Sequence, residues 1–182
     1  IGAGSICITR IVAGAGVPQV SAIFDCSKQA KKVNIPLIAD GGIRSPGDIA
    51  KAIAAGASSV MIGSLLAGTD ESPGLIINKD GIKYKISRGM ASLGANLLQR
   101  KSYSQDRISQ EDIERLIPEG IEAMVPYKGK AKDVISYLVG GLRSAFSYAG
   151  AATIKEMQTK TKFIRITPSG LKESYPHDVI EL

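Results

Sequence analysis

The chain opens on a thiol set among glycines, Gly2-Ala3-Gly4-Ser5-Ile6-Cys7. Glycines let a backbone approach a ligand closely and turn its amides or carbonyls inward. A thiol held in such a loop is reachable and sits near oriented dipoles that favour thiolate, the nucleophilic form. The chemistry on offer is covalent attack on an electrophilic carbon. A small structural cysteine in an ordinary loop is the competing reading of this motif taken alone. Cys26 falls inside an amphipathic stretch and reads as structural.

Two further turns carry the residue types that hold a nucleotide. Asp40-Gly41-Gly42 and Gly63-Ser64 each follow a short apolar run. A carboxylate at a strand end accepts both hydroxyls of a ribose, and glycines with a serine at a helix start bind phosphate. Tight strand-to-helix turns also need glycine for conformation alone. Glu119, in Pro118-Glu119-Gly120, reads as a surface carboxylate by itself, and Tyr103 as a surface tyrosine able to act as an acid or base. The single histidine, His177, leaves a Ser/His/Asp triad or a zinc site without support.

These residues need elements to position them. Residues 18–33 place Val20, Ile23, Phe24, Ala30 and Val33 on one helical face. The run 35–39 predicts a strand ending at Asp40, and 59–62 a second ending at Gly63. Between them Ser45 caps a helix with Pro46 at its first position, Asp48 in its first turn and Gly56 as its left-handed stop. Short apolar strands alternating with helices predict a parallel sheet covered on both faces, with ligands at the C-terminal strand ends. Residues 75–86 predict a hairpin turning at Asp80-Gly81. Residues 97–114 are polar and weakly periodic, the pattern of a mobile functional loop. An amphipathic helix spans 131–148, with Gly140-Gly141 implying close packing inside it. A helix near Ile154, a strand over 163–166 and a mixed tail follow.

The 182 residues carry 44% hydrophobic and 22% charged side chains, ordinary values for one globular domain. A net charge of +6 favours anionic partners, but the basic residues are dispersed, so nucleic acid is the weaker reading. Two cysteines are too few for a disulfide scaffold and point to a reducing compartment, the cytoplasm. No apolar run is long enough to cross a membrane. A start inside a functional loop implies a piece of a longer catalytic domain. Strands with their loops are expected over 1–70, the hairpin and the polar loop over 75–130, and helices and tail over 131–182.

The motifs together resemble the IMP dehydrogenase family. Gly2 to Arg10 is similar to its catalytic cysteine loop, Ala39 to Arg44 to its ribose and phosphate loop, and Met61 to Gly68 to its second phosphate loop. Arg88-Gly89-Met90, Pro118-Glu119-Gly120 with Val125 to Gly129, and Glu173 to Asp178 follow in the family's order. The resemblance covers nearly the whole chain and is bacterial in style. It implies an α/β fold, the C-terminal portion of a (β/α)8 barrel with an inserted flap and a C-terminal tail. It implies oxidation of IMP to XMP with NAD, in guanine nucleotide synthesis, through a thioimidate on Cys7, with Thr9 and Tyr103 assisting. Ser5, Gly42, Gly63 and Ser64 would hold phosphate, Asp40 the ribose, and Gly89, Met90 and Glu119 the base, with Gly41 also among the substrate-binding residues. Carbonyls of Gly2, Gly4 and Cys7 would bind potassium, completed by Glu173, Ser174 and Tyr175 of a neighbouring subunit in a homotetramer.

The sequence departs from that family at defined places. The flap's Arg-Tyr pair is matched by Ser102-Tyr103, with Arg100 and Arg107 nearby. The tyrosine before Arg-Gly-Met is Ser87, the glycine after it is Ala91, and Tyr175 stands where a histidine is usual. A full barrel takes about 250 residues. The alternatives are a GMP reductase relative, an incomplete fragment that only binds nucleotide, and a basic nucleic-acid-binding domain.

Overall fold

The computed structural model describes residues 2–103, 113 and 115–180. After a single turn of helix, α1 (Thr9–Val12), comes α2 (Gln19–Lys32), then β1 (Ile38–Asp40), α3 (Pro46–Ala54), β2 (Ser59–Met61) and the short α4 (Ser64–Ala67). β1 and β2 pair in parallel, Ile38 opposite Ser59 and Asp40 opposite Met61. The expected first strand is shorter at its start, because Ile35 and Leu37 are spent on the turn: Ile35 bonds back to Ala30, and the Leu37 carbonyl receives Ser58.

The helix between the strands begins as its sequence dictates. One Asp48 carboxylate oxygen accepts the N–H groups of Arg44 and Ser45, each at 3.0 Å, and the Ser45 hydroxyl at 3.1 Å. Three otherwise unpaired donors at the helix entrance are thereby satisfied. Gly56 ends the segment at φ 121°, where an added Cβ would lie 2.5 Å from the Ser27 side chain. That conformation is strained for any L side chain.

The second sheet is antiparallel. β3 (Ile76–Lys79) and β4 (Ile82–Arg88) form the expected hairpin, with Asp80 and Gly81 both at positive φ, 54° and 80°. A strand unforeseen in the sequence, β5 (Glu122–Pro126), pairs with β4 from Tyr84–Pro126 to Arg88–Glu122. Between them lies α5 (Leu93–Tyr103). The expected loop over 97–114 is therefore helical to Tyr103; most of the remainder, 104–112 and 114, lies outside the described residues. The helix starts there because Ser92, only 1% exposed, offers its hydroxyl to the Ala95 N–H, and Glu122 accepts the Gly94 N–H at 3.1 Å.

Three helices close the chain: α6 (Ala131–Tyr148), α7 (Ile154–Lys160) and α8 (Pro168–Glu173). Gly141 of α6 packs against Pro46 at the start of α3, where a Cβ would overlap the proline ring; at Gly140 nothing lies within 4 Å. Close packing thus explains only one of the two glycines. The strand expected over 163–166 does not form. Among the described residues no strand pairs with its backbone, and Phe163 instead meets Phe24 edge-on at 5.2 Å. The core joins Ile23 of α2, Ala39 of β1, Ile49 and Ile53 of α3, Leu138 of α6 and Met157 of α7. Each buried isoleucine contributes roughly 1.5–3 kcal/mol. Cys26 lies within α2, as expected, and is exposed.

Candidate active site at the strand ends

The cysteine loop is fastened on two sides. Ile8 donates to the Glu119 carbonyl and Ile121 to that of Ile6, each at 2.9 Å, so Cys7 lies opposite Gly120 in an antiparallel bridge. Gly120 in turn packs on the Gly89 turn. A Cβ on Gly89 would stand 3.2 Å from the Gly120 Cα, and Gly89 donates to the Ile121 carbonyl at 3.0 Å. A side chain on either glycine would require the facing backbone to give by a few tenths of an ångström.

On its other side the loop touches the Asp40 turn. Gly41 and Gly42 have φ of 100° and 78°, and Cβ atoms there would meet Ala3 at 3.2 and 3.3 Å. A Cβ on Gly2 would stand 3.5 Å from the Asp40 carbonyl. That carbonyl accepts the Gln19 side-chain amide at 2.8 Å, which ties the start of α2 to the same rim. Asp40 and Ser5 are exposed, so both side chains are available to a ligand.

Gly63 and Ser64 reach the same neighbourhood. With Ile6, Leu66, Ala67, Thr69, Glu71, Ser72, Ser87, Arg88 and Ala131 they line a cleft of about 450 Å³. A second cleft of about 480 Å³ shares Ser72, Ser87 and Arg88 with it. Arg88 is the lining residue that sequence reasoning passed over. Its Nε pairs with Glu122 at 3.0 Å, and its place in the Arg88-Gly89-Met90 string was the available signal. Met90 is 92% exposed beside this turn, and Glu119 is half-buried.

The thiol's environment favours ionisation. The Thr9 hydroxyl, 3.4 Å from Sγ, is the largest influence lowering its pKa, followed by the backbone N–H groups of Thr9 and Gly2; partial burial opposes them. Thr9 is held by α1, itself 7% exposed, so the hydroxyl has a fixed address. Two further elements are expected of the site. Tyr103 ends α5, and its side chain lies outside the described atoms. Glu173, Ser174 and Tyr175 lie at the exposed end of α8, and among the described residues no hydrogen bond joins them to the cysteine loop. His177 sits exposed against Asp178 at 2.7 Å.

Residues 1–177 match the family model of the IMP dehydrogenase / GMP reductase domain. The chain belongs to that family. It is 58% identical over 179 residues to the inosine-5′-monophosphate dehydrogenase of Aquifex aeolicus, covering 98% of this chain and 36% of that protein. It is 52% identical over 182 residues to the GMP reductase of Leishmania donovani, covering 100% of this chain and 37% of that one. Among solved structures it resembles GMP reductase C318A of Trypanosoma brucei in complex with guanosine 5′-monophosphate, with a TM-score of 0.88 and 52% identity, covering 99% of this chain and 36% of that one. The chain thus spans little more than a third of the length of these relatives. Its α/β architecture is the corresponding portion of a (β/α)8 barrel from this purine-nucleotide oxidoreductase family.

Proposed function

We propose that this chain is the C-terminal part of the catalytic domain of an NAD-dependent enzyme that oxidises IMP to XMP. The observation that carries the reading is that the cysteine loop meets the Gly41-Gly42 turn through Ala3 and the Glu119-Gly120 segment through the bridge at Cys7. A nucleotide lying across that rim would present its base to the thiolate.

The chemistry follows from the residues. Cys7 Sγ adds to C2 of the purine, and C2 becomes tetrahedral. NAD, when bound, would supply the acceptor for the hydride of C2, and the purine would then remain on Cys7 as a thioimidate. Water then adds to that carbon and the C–S bond breaks, returning the thiol and releasing XMP. One difficult step is divided into two easier ones. Thr9 stabilises the thiolate, and Tyr103 is assigned to the hydrolytic step. Ser5, Gly41, Gly42, Gly63 and Ser64 hold the phosphate, Asp40 the ribose hydroxyls, and Gly89, Met90 and Glu119 the base.

Carbonyl oxygens of Gly2, Gly4 and Cys7 are neutral, hard donors of the kind that replace the hydration of potassium. Gly4 suits such a turn, since a Cβ there would press on the Cys7 Cβ at 3.3 Å. Glu173, Ser174 and Tyr175 would complete the ion site from a neighbouring subunit of a homotetramer. Among the described residues no helix is long and apolar enough to cross a membrane, and a cytoplasmic location is proposed with the activity.

The second reading, reduction of GMP, rests on the 52% identity to GMP reductases. The purified protein separates them: NADH formed from IMP supports the dehydrogenase, and NADPH consumed with GMP supports the reductase. Neither activity, with nucleotide still bound, would mean a chain that binds without turnover.

A further inference from the structure

Lys85 is 3% exposed, in the middle of β4. Its Nζ donates to the backbone carbonyls of Thr69 at 2.8 Å, Ser72, and Asp70 at 3.5 Å. An ammonium has three N–H donors and here meets three carbonyl oxygens. Among the described residues no carboxylate pairs with it. The nearby acids are engaged elsewhere: Asp70 accepts the Tyr127 hydroxyl at 2.6 Å, and Glu71 accepts the Ala131 N–H at 2.7 Å. A buried cation is costly unless its hydration is replaced. Here backbone dipoles alone replace it, as carbonyl rings do for alkali ions.

We propose that the Thr69, Asp70 and Ser72 carbonyls form a monovalent-cation cradle, filled by the ammonium of Lys85 in place of a free ion. The cradle shares no residue with the Gly2, Gly4 and Cys7 carbonyls. Without a cation, three carbonyls would converge with only the Ser72 N–H, 3.2 Å from the Thr69 oxygen, to offset their repulsion among the described residues. The turn is also clamped from its far side, where Asp70 donates to the Gly129 carbonyl at 2.8 Å and Lys128 to that of Gly68 at 2.9 Å. Thr69, Glu71 and Ser72 line the same cleft as Gly63 and Ser64. Lys85 is thus the positioning residue for that wall, and its effect on nucleotide affinity rests on the function proposed above.

The test is Lys85→Ala in the purified protein, with methylammonium chloride against tetramethylammonium chloride at equal ionic strength. Methylammonium reproduces the end of the lysine side chain, whereas tetramethylammonium carries the charge without donors. The variant is expected to lose about 5 °C or more in thermal midpoint. Methylammonium should restore a large part of that loss, while the wild type responds equally to both salts. IMP affinity should fall several-fold and recover in parallel. An unchanged midpoint, or a loss that both salts treat alike, overturns the cradle. If Lys85→Ala fails to fold in either salt, Lys85→Gln, with two N–H donors, is compared with Lys85→Met, with none. The cradle requires the glutamine variant to melt higher, and the reverse order overturns it. If the wild type does not bind IMP, the nucleotide reading fails, while the salt-dependent midpoint still judges the cradle.

Discussion

The Sγ of Cys7 lies 3.4 Å from the hydroxyl of Thr9, and this contact does most to hold the thiol below its ordinary pKa. Lowering a thiol pKa extends the thiolate to lower pH. Thr9→Val keeps the shape of a buried side chain and removes the donor. The pH profile of Cys7 alkylation should therefore move upward, and the rate at neutral pH should fall several-fold. Iodoacetamide labelling read by mass spectrometry measures this site by site. An unmoved profile would assign the lowering to the backbone amides alone.

In the complete enzyme, with the rest of the catalytic domain present, Cys7→Ala should remove turnover and leave nucleotide affinity nearly unchanged. The contacts assigned to phosphate and ribose come from Ser5, Asp40, Gly42, Gly63 and Ser64, not from the thiol. Titration calorimetry beside a steady-state assay separates the two effects. Saturating IMP should also protect Cys7 from alkylation in the wild type, while exposed Cys26 continues to react. Turnover surviving in Cys7→Ala would remove the covalent mechanism.

The adjacent glycines of α6 should respond in opposite senses. Gly140→Ala places a methyl where nothing lies within 4 Å, so it should stabilise by roughly 0.5–1 kcal/mol through the lower helix cost of alanine. Gly141→Ala drives a methyl into the Pro46 ring and should destabilise by about 1–3 kcal/mol. Chemical denaturation of the two variants gives the signs. Equal responses would mean that α6 and α3 do not meet as described.

Acid sensitivity should include Glu156. Its pKa is lowered first by the Ala152 backbone N–H, at 2.9 Å, then by Lys160 at 2.9 Å. A carboxylate lowered on folding contributes stability above its unfolded pKa, about 4.3. That contribution is lost as pH falls through the folded value. Glu156→Gln should therefore be less stable than wild type at neutral pH, with the gap closing in acid. A gap that persists at low pH would point to packing instead of charge.

Local signals in the sequence were sufficient for the elements whose reasons are local. Ser45-Pro46 and Asp48 start α3, Gly56 stops it, Asp80-Gly81 turns the hairpin, and the periodicity over 131–148 gives α6 its full length. These depend on backbone geometry and on neighbours within a few residues. The ordered motifs carried the family, because each turn keeps its own residues wherever the chain is folded.

Tertiary structure decided what depends on distant partners. β5 exists because β4 offers it an edge, and the segment 163–166 stays irregular because no strand among the described residues does. Alternation along β4 would bury Ile82, Tyr84 and Ile86, yet the one fully buried side chain is Lys85. Nothing in its own strand announces the three carbonyls that receive it, since they belong to a turn 13 to 16 residues away. Cys7 could be read as a nucleophile from its glycines. Its bridge to Gly120, and the approach of Ala3 in the same loop to Gly41 and Gly42, arise only when segments far apart in the chain are folded onto one rim, because such contacts leave no period in the sequence.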